Sequence, residues 1–187
     1  GLVTVAFALQ VQAGDLGGLT RMAKEASKRS EEAWDAAVDL INKPTGSKAV
    51  ANRGAIEVAF SPDHGAEDLV LRVVDSAKAD LRVMAYSFTS SKMTSALVRA
   101  AKRGVKVYLL ADEKQNTGEG GAGKSKAALS TLSLAGVSVR LVGAYPIFHD
   151  KVQIADGRTL QTGSYNYSDA AARRNSENVI VHWDNPD

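Results

Sequence analysis

Apolar residues recur with two different periods after residue 54, and the two periods occupy separate stretches of the chain. Strand-like apolar runs lie at 56–60, 81–85 and 105–111, and helical spacing separates them at 66–77 and 91–102. This β-α-β-α-β order predicts a sheet with helices packed on it.

The pattern changes in the last third of the chain. A third helix is predicted at 124–135 and a strand at 137–142, and only strands follow, at 151–155, 158–163 and 179–183. The predicted fold class is therefore α/β, a mixed β-sheet flanked by helices.

The first 53 residues have a different character. Residues 1–13 combine an apolar run with small residues before Gly14, which predicts a truncated signal peptide; the alternatives are a short buried strand or a membrane anchor, although the run is too short to span a bilayer. Residues 14–53 are predicted to form a helical extension, with an amphipathic helix at 20–41, and a Pro- and Gly-containing linker. The main domain is then 54–187.

Composition limits the classes of function. The 187 residues carry a net charge of +2, too small for nucleic-acid binding by bulk charge, so local geometry must hold any anionic substrate. The chain has no cysteine, which excludes disulfides, cysteine zinc sites and a thiol nucleophile. A signal peptide predicts a periplasmic or secreted protein with no integral membrane segment in the mature chain.

One glycine-rich segment matches a nucleotide-binding motif. Gly118, Gly123, Lys124 and Ser125 fit the phosphate-binding pattern G-x-x-x-x-G-K-S. That motif requires the first glycine to follow a strand, whereas the polar run 112–117 intervenes here. A glycine-rich surface loop that caps a helix is the favoured interpretation, and a nucleotide site is the alternative.

The strands near the carboxyl end gather polar side chains. Asp156-Gly157 is a two-residue turn signal, which predicts a hairpin that pairs Ala155 with Arg158. The same register pairs Lys151 with Thr162 and His149 with Ser164.

Residues two apart on a strand share a face, so His149 and Lys151 are predicted to lie together, joined by Ser164 and Asn166. Lys151, Ser164 and Asn166 can neutralise phosphate oxygens, and His149 is a candidate nucleophile or acid–base group. Glu177 could hydrogen-bond the far imidazole nitrogen and fix its tautomer. This set suits attack on a phosphodiester without a metal.

These residues resemble a known signature. His149-x-Lys151-x4-Asp156, followed by Gly163-Ser164-x-Asn166 and by Asn175-Ser176-Glu177-Asn178, is similar to the HKD motif of the phospholipase D superfamily. The segments 58–62, 84–89 and 112–118 resemble the small exported bacterial endonucleases of that superfamily, and the likeness spans about 54–187. Members continue into a C-terminal helix, which this chain is expected to lack.

The resemblance implies roles for the matching residues. His149 corresponds to the nucleophile that forms a phosphohistidine, Lys151, Ser164 and Asn166 to the phosphate-binding groups, and Glu177 to the histidine-orienting carboxylate. Asp156 completes the catalytic signature, but its place in the hairpin turn predicts a structural role. Members use two HKD motifs and this chain has one, so the resemblance implies a homodimer that needs no cofactor.

The predicted function is a metal-independent phosphodiesterase, a non-specific endonuclease that cleaves DNA, with RNA as a further candidate substrate, through a phosphohistidine at a homodimer interface. A phospholipase D acting on phospholipid head groups is the alternative, and a non-catalytic DNA-binding or envelope-associated module is a third interpretation.

Other polar residues fit less specific interpretations. His64 is expected near a helix start and His182 on a strand, with no metal-ligand spacing. Arg173 and Arg174 fit either a contact with a flanking phosphate or a solvated loop.

Overall fold

The computed structural model describes residues 24, 25, 28, 31, 32, 53–118 and 122–186. The chain divides into two units, Gly1–Ala49 and Val50–Asp187. The described residues of the first unit are helical, as predicted for 20–41. Lys28 Nζ lies 3.8 Å from Glu32 Oε1, one helical turn later. The predicted signal peptide at 1–13 and most of the linker lie outside the described residues. No helix in the described ranges is long and apolar enough to cross a membrane.

The described residues of the second unit form seven strands and five helices. The strands are β1 (Ile56–Ser61), β2 (Asp80–Ala85), β3 (Lys106–Asp112), β4 (Ser138–Val142), β5 (Lys151–Ala155), β6 (Thr159–Gly163) and β7 (Glu177–His182). The helices are α1 (Ala66–Ser76), α2 (Ser91–Lys102), α3 (Glu113–Thr117), α4 (Ala122–Leu134) and α5 (Asp169–Arg173). Every strand and long helix predicted from the sequence after residue 54 is present.

The strands form one mixed sheet in the order β1-β7-β6-β5-β2-β3-β4. The β2–β3 and β3–β4 pairs are parallel, as expected for strands joined through helices, and the other pairs are antiparallel. The predicted α/β class with a mixed, helix-flanked sheet is confirmed.

Helices cover one face of this sheet. Helix α1 packs on β1, β5, β6 and β7, α2 packs on β3 and α4 packs on β4, and α2 also contacts α1 and α4. Their buried residues recur at helical spacing, as with Leu69, Val70, Val73 and Val74 of α1, and all four are at most 2% exposed. Buried and less buried residues alternate along β5, and its buried positions face these helices.

The β5–β6 hairpin differs from its predicted register. Ala155 pairs with Thr159 rather than Arg158, so three residues rather than two join the strands. Asp156 and Gly157 both have positive φ, and the Arg158 amide donates to the Ala155 carbonyl at 3.1 Å, leaving Arg158 as an extra residue in the turn. The predicted pairs of Lys151 with Thr162 and His149 with Ser164 are therefore wrong by one residue.

The end of β6 approaches β7 closely at a glycine. Gly163 has φ 151°, and a Cβ atom added there would lie 2.2 Å from the carbonyl oxygen of Asn178. The next residue, Ser164, donates its amide to that same carbonyl at 3.1 Å. A side chain at residue 163 would therefore force β6 away from β7 where the polar residues of the predicted site begin.

We expect Gly163→Ala to reduce the free energy of unfolding by about 2–3 kcal/mol, because both the backbone conformation and the collision oppose the methyl group. Gly136→Ala is the matched control, since Gly136 also has positive φ but has no atom within 4 Å of its added Cβ. Urea unfolding should show a larger loss for Gly163→Ala; equal losses would contradict the close approach.

Candidate active site

The polar residues predicted to act together lie at one end of the sheet. His149 precedes β5, Ser164 follows β6 and Glu177 begins β7. Because these strands are antiparallel neighbours, the start of β5, the end of β6 and the start of β7 fall on the same edge. The end of β2 joins them, since Ala85 pairs with Lys151.

His149 is exposed to solvent next to an aromatic ring. The centroid of the Tyr86 ring lies 4.5 Å from that of the imidazole, in an edge-on arrangement. The backbone amide of Tyr86 donates to the carbonyl of Asp150 at 2.9 Å, which ties the end of β2 to the residue after His149. Tyr86 was not among the predicted site residues, and its only sequence signal was its place in the segment 84–89.

Lys151 is buried beside His149. The residue is 5% exposed, and Nζ donates to the His149 carbonyl at 2.8 Å and lies 5.2 Å from the Tyr86 ring centroid. Burial lowers the pKa of Lys151, while the charges of Asp150 and Glu177 act to raise it. A cation bonded to a carbonyl rather than to a carboxylate is suited to bind an incoming anion.

Ser164 and Glu177 are joined by a short hydrogen bond. Ser164 Oγ donates to Glu177 Oε2 at 2.6 Å and accepts from the Asn178 amide at 3.1 Å, while Asn175 Nδ2 donates to Glu177 Oε1 at 2.9 Å. The predicted hydrogen bond between the His149 imidazole and the Glu177 carboxylate is not formed among the described residues. The physical reason is that β6 and β7 are neighbours, which brings Ser164 directly to the carboxylate.

Asn166 lies two residues beyond Ser164. Its side-chain oxygen is buried and has no hydrogen-bond partner among the described residues. No contact in that part of the chain joins it to His149 or Lys151. A buried amide oxygen without a partner is costly, and such groups are typical of functional sites.

Asp156 lies at the opposite end of β5 from His149. Its carboxylate accepts backbone N–H bonds from Lys78 at 2.9 Å, Ala79 at 2.7 Å and Asp80 at 3.0 Å. Burial acts to raise the pKa of Asp156, but these amides outweigh burial and hold the pKa below its usual range. The carboxylate fixes the hairpin to the start of β2 and lies outside the cluster around His149.

We expect Asp156→Asn to lower the free energy of unfolding by about 1 kcal/mol at pH 7, because the substitution removes the charge and one acceptor. The pKa of the carboxyl is lower in the folded protein, so its stabilisation is complete above the unfolded pKa of about 4 and is lost as the pH falls through the folded pKa.

Urea unfolding of both proteins between pH 7 and pH 3 measures this difference. The gap between wild type and variant should close at acid pH, and the folded variant should retain its activity. A gap that stays constant with pH, or an inactive but fully folded variant, would contradict a structural role.

The remaining candidates lie away from this cluster. His64 precedes α1, and His182 ends β7 opposite Ile56. No group of three or more His, Asp or Glu residues is placed to bind a metal within the described ranges. Arg173 borders a polar cavity of about 510 Å³ that also contains the ion-paired Lys92 and Glu67, and Arg174 follows α5.

The nucleotide-motif segment does not form a strand-to-loop-to-helix unit. Gly118 follows helix α3, not a strand, and residues 123–125 lie inside α4. Residues 119–121 are outside the described ranges. This arrangement lacks the strand that a phosphate-binding loop requires before its first glycine.

Comparisons with known proteins match the second unit of the chain, which contains the cluster around His149. The sequence model of the family described as cardiolipin synthase, PLD-like domain, matches residues 70–187. The chain is 33% identical over 131 residues to a phospholipase D of Rickettsia conorii, covering 70% of this chain and 62% of that protein. It is 32% identical over 122 residues to a mitochondrial cardiolipin hydrolase of Danio rerio, covering 63% and 51%. The chain thus spans less than two thirds of the length of these curated relatives.

Two solved structures share the fold. Nuc from Salmonella typhimurium, a phospholipase D family member, matches with a TM-score of 0.68 and 44% identity, covering 72% of this chain and 86% of that one. NucT from Helicobacter pylori matches with a TM-score of 0.57 and 23% identity, covering 68% and 85%, and indicates the fold alone.

Proposed function

The chain belongs to the phospholipase D superfamily of phosphodiesterases, and we propose that it is an endonuclease that cleaves DNA, and also RNA, with little sequence preference. The observation that carries the proposal is the pair formed by exposed His149 and buried Lys151. The identity of 44% to Nuc, over most of the Nuc chain, supports a nucleic acid as the substrate.

In this proposal His149 is the nucleophile. An imidazole nitrogen attacks the phosphorus, a P–N bond forms, and the P–O bond to the leaving oxygen breaks. A second histidine donates a proton to that oxygen. The same histidine then takes a proton from water, which attacks the phosphohistidine, breaks the P–N bond and releases a phosphomonoester.

Lys151, Ser164 and Asn166 are proposed to bind the non-bridging oxygens. The ammonium of Lys151 balances the charge that develops there, and its burial strengthens the interaction because little water competes. Asn166 would donate from Nδ2 to a phosphate oxygen, because its Oδ1, which is buried without a partner among the described residues, can only accept. Glu177 holds the Ser164 hydroxyl in place through their 2.6 Å hydrogen bond.

The second histidine is proposed to come from a second copy of the chain. This chain carries one HKD motif, and His149 lies exposed beside two exposed apolar side chains, Tyr145 at 44% and Ile147 at 58%. A two-fold homodimer would bring two copies of His149 together and cover this apolar surface. The apolar run at residues 2–9 further supports a proposal of export to the periplasm or medium.

Phospholipid is the second candidate substrate. The relatives named phospholipase D and cardiolipin hydrolase support it, as do Tyr145 and Ile147, which could contact a lipid surface next to His149. The polynucleotide is preferred because the match to Nuc has higher identity and covers more of the matched protein.

We expect the full chain to nick plasmid DNA in excess EDTA, and His149→Ala to lower this rate by about a thousand-fold or more, because the covalent step needs the imidazole. His182→Ala is the matched control, since His182 lies at the opposite end of β7 from Glu177. Phosphatidylcholine and cardiolipin hydrolysis are assayed in parallel.

Lipid turnover without DNA cleavage would replace the nuclease proposal with the phospholipase one. DNA binding with no cleavage of either substrate would favour a non-catalytic module. Cleavage that occurs without EDTA but stops when EDTA is added would contradict the metal-independent mechanism.

Mixed dimers test the shared site. When wild-type and His149→Ala chains are refolded together in equal amounts, we expect about one quarter of the wild-type activity, because only random dimers with two histidines are complete. Half of the activity would mean that each chain acts alone. Analytical ultracentrifugation of the same mixture verifies that dimers have formed.

A further inference from the structure

Two buried polar residues outside the HKD signature lie where three loops meet. Asp112 ends β3 and is 3% exposed, and Asn116, in α3, is 0% exposed. Their partners belong to the loop after β2 and to the segment before β5, which carries His149. Polar side chains this deeply buried are retained only when hydrogen bonds compensate for lost water.

The Asn116 amide fixes the loop after β2. Its Oδ1 accepts from the Phe88 amide at 3.0 Å, and its Nδ2 donates to the carbonyls of Tyr86 and Asp112, both at 2.7 Å. These bonds hold the backbone on both sides of residue 87. They therefore set the position of Tyr86, whose ring contacts His149.

The Asp112 carboxylate fixes the histidine segment. Its Oδ1 accepts from the Gln115 amide and caps α3, while Oδ2 accepts from the Phe148 amide, both at 2.7 Å. Phe148 is the residue before His149, and the residue after it, Asp150, is bonded to Tyr86. Both neighbours of the histidine are thus held by elements that converge on Asp112 and Asn116.

We propose that Asp112 and Asn116 are positioning residues that hold His149 and the Tyr86 ring in the arrangement needed for attack, an inference that rests on the proposed nuclease function. The imidazole is solvent-exposed, and its described side-chain contact is the Tyr86 ring. Its orientation consequently depends on how firmly the two backbones around it are held. Misplacing a nucleophile by about 1 Å can lower a rate by about a hundred-fold.

Asp112→Asn is the main test variant. It keeps the shape of the side chain, but its single carbonyl oxygen cannot accept from both Gln115 and Phe148. We expect kcat for DNA cleavage to fall by about ten- to a hundred-fold with KM changed less than about three-fold, because the Asp112 carboxylate bonds to the Gln115 and Phe148 amides and not to the Lys151 ammonium. Asn116→Ala should act in the same direction.

Two controls separate positioning from general stability. Thr117→Ala removes a hydroxyl that, among the described residues, donates to the Glu113 carbonyl within α3. Leu132→Ala removes a fully buried side chain of α4 and should cost about 2–5 kcal/mol in the free energy of unfolding. Both should keep the wild-type kcat under conditions in which each variant is fully folded.

A readout without substrate keeps this inference separate from the proposed function. The chain has three histidines, so ¹⁵N spectra of the imidazoles can be assigned with His149→Ala. We expect Asp112→Asn and Asn116→Ala to shift or broaden the His149 signals and to leave those of His64 and His182 unchanged.

Wild-type protein that cleaves no DNA would contradict the proposed function, while the imidazole spectra would still test the positioning. Unchanged His149 signals in both variants, or a kcat loss no larger than that of Leu132→Ala, would overturn the positioning role. If Asn116→Ala does not fold, Asp112→Asn alone decides.

Discussion

Antiparallel pairing at the centre of the sheet is the constraint on which the site depends. Strands β2, β5, β6 and β7 are neighbours that alternate in direction, so chain ends distant in sequence meet at one edge. His149, Ser164 and Glu177 each stand within one or two residues of a strand end at that edge. Their placement at one edge is therefore a result of strand direction, and strand register decides which face of the sheet each side chain takes.

Burying Lys151 beneath this edge carries a desolvation cost that the fold must offset. The ammonium donates to the His149 carbonyl, and a buried polar chain lies below, in which Tyr167 donates to Gln161 at 3.1 Å and Gln161 donates to the Lys151 carbonyl at 3.4 Å. Burial also raises the pKa of Tyr167, which keeps its hydroxyl protonated as a donor. The interior under the site is thus polar and hydrogen-bonded where an apolar core would pack more simply.

Most of the fold followed from the sequence because apolar periodicity determines which face of each element is buried. The helix at 91–102 and the strand at 151–155 were predicted with the bounds that the structure shows. The hairpin register was not, because a turn in which Asp156 and Gly157 both have positive φ can be followed by an extra residue such as Arg158. No periodic pattern encodes that choice.

Some contacts of the candidate site could be foreseen from the sequence and others could not, for a related reason. The signature residues His149, Lys151 and Ser164 were named from spacing along neighbouring strands. Asp112 and Asn116 were missed because their partners lie 28 to 36 residues away, in loops whose relative position only the folded sheet defines. The bond from Ser164 to Glu177 was missed for the same reason, since the pairing of β6 with β7 is defined only by the folded sheet.

Strand β5 is held at both ends by the same kind of contact, with different consequences. At the turn, Asp156 accepts amides from residues 78–80; at the other end, Asp112 accepts the amide of Phe148. Each carboxylate accepts hydrogen bonds from backbone amides that have no strand partner in a loop. Each contact therefore restrains its segment. Restraint at the turn holds the hairpin, whereas restraint beside His149 holds the segment that carries the proposed nucleophile. The chemistry of the contact is the same at both ends, and its position along the strand is what separates the structural role of Asp156 from the positioning role proposed for Asp112.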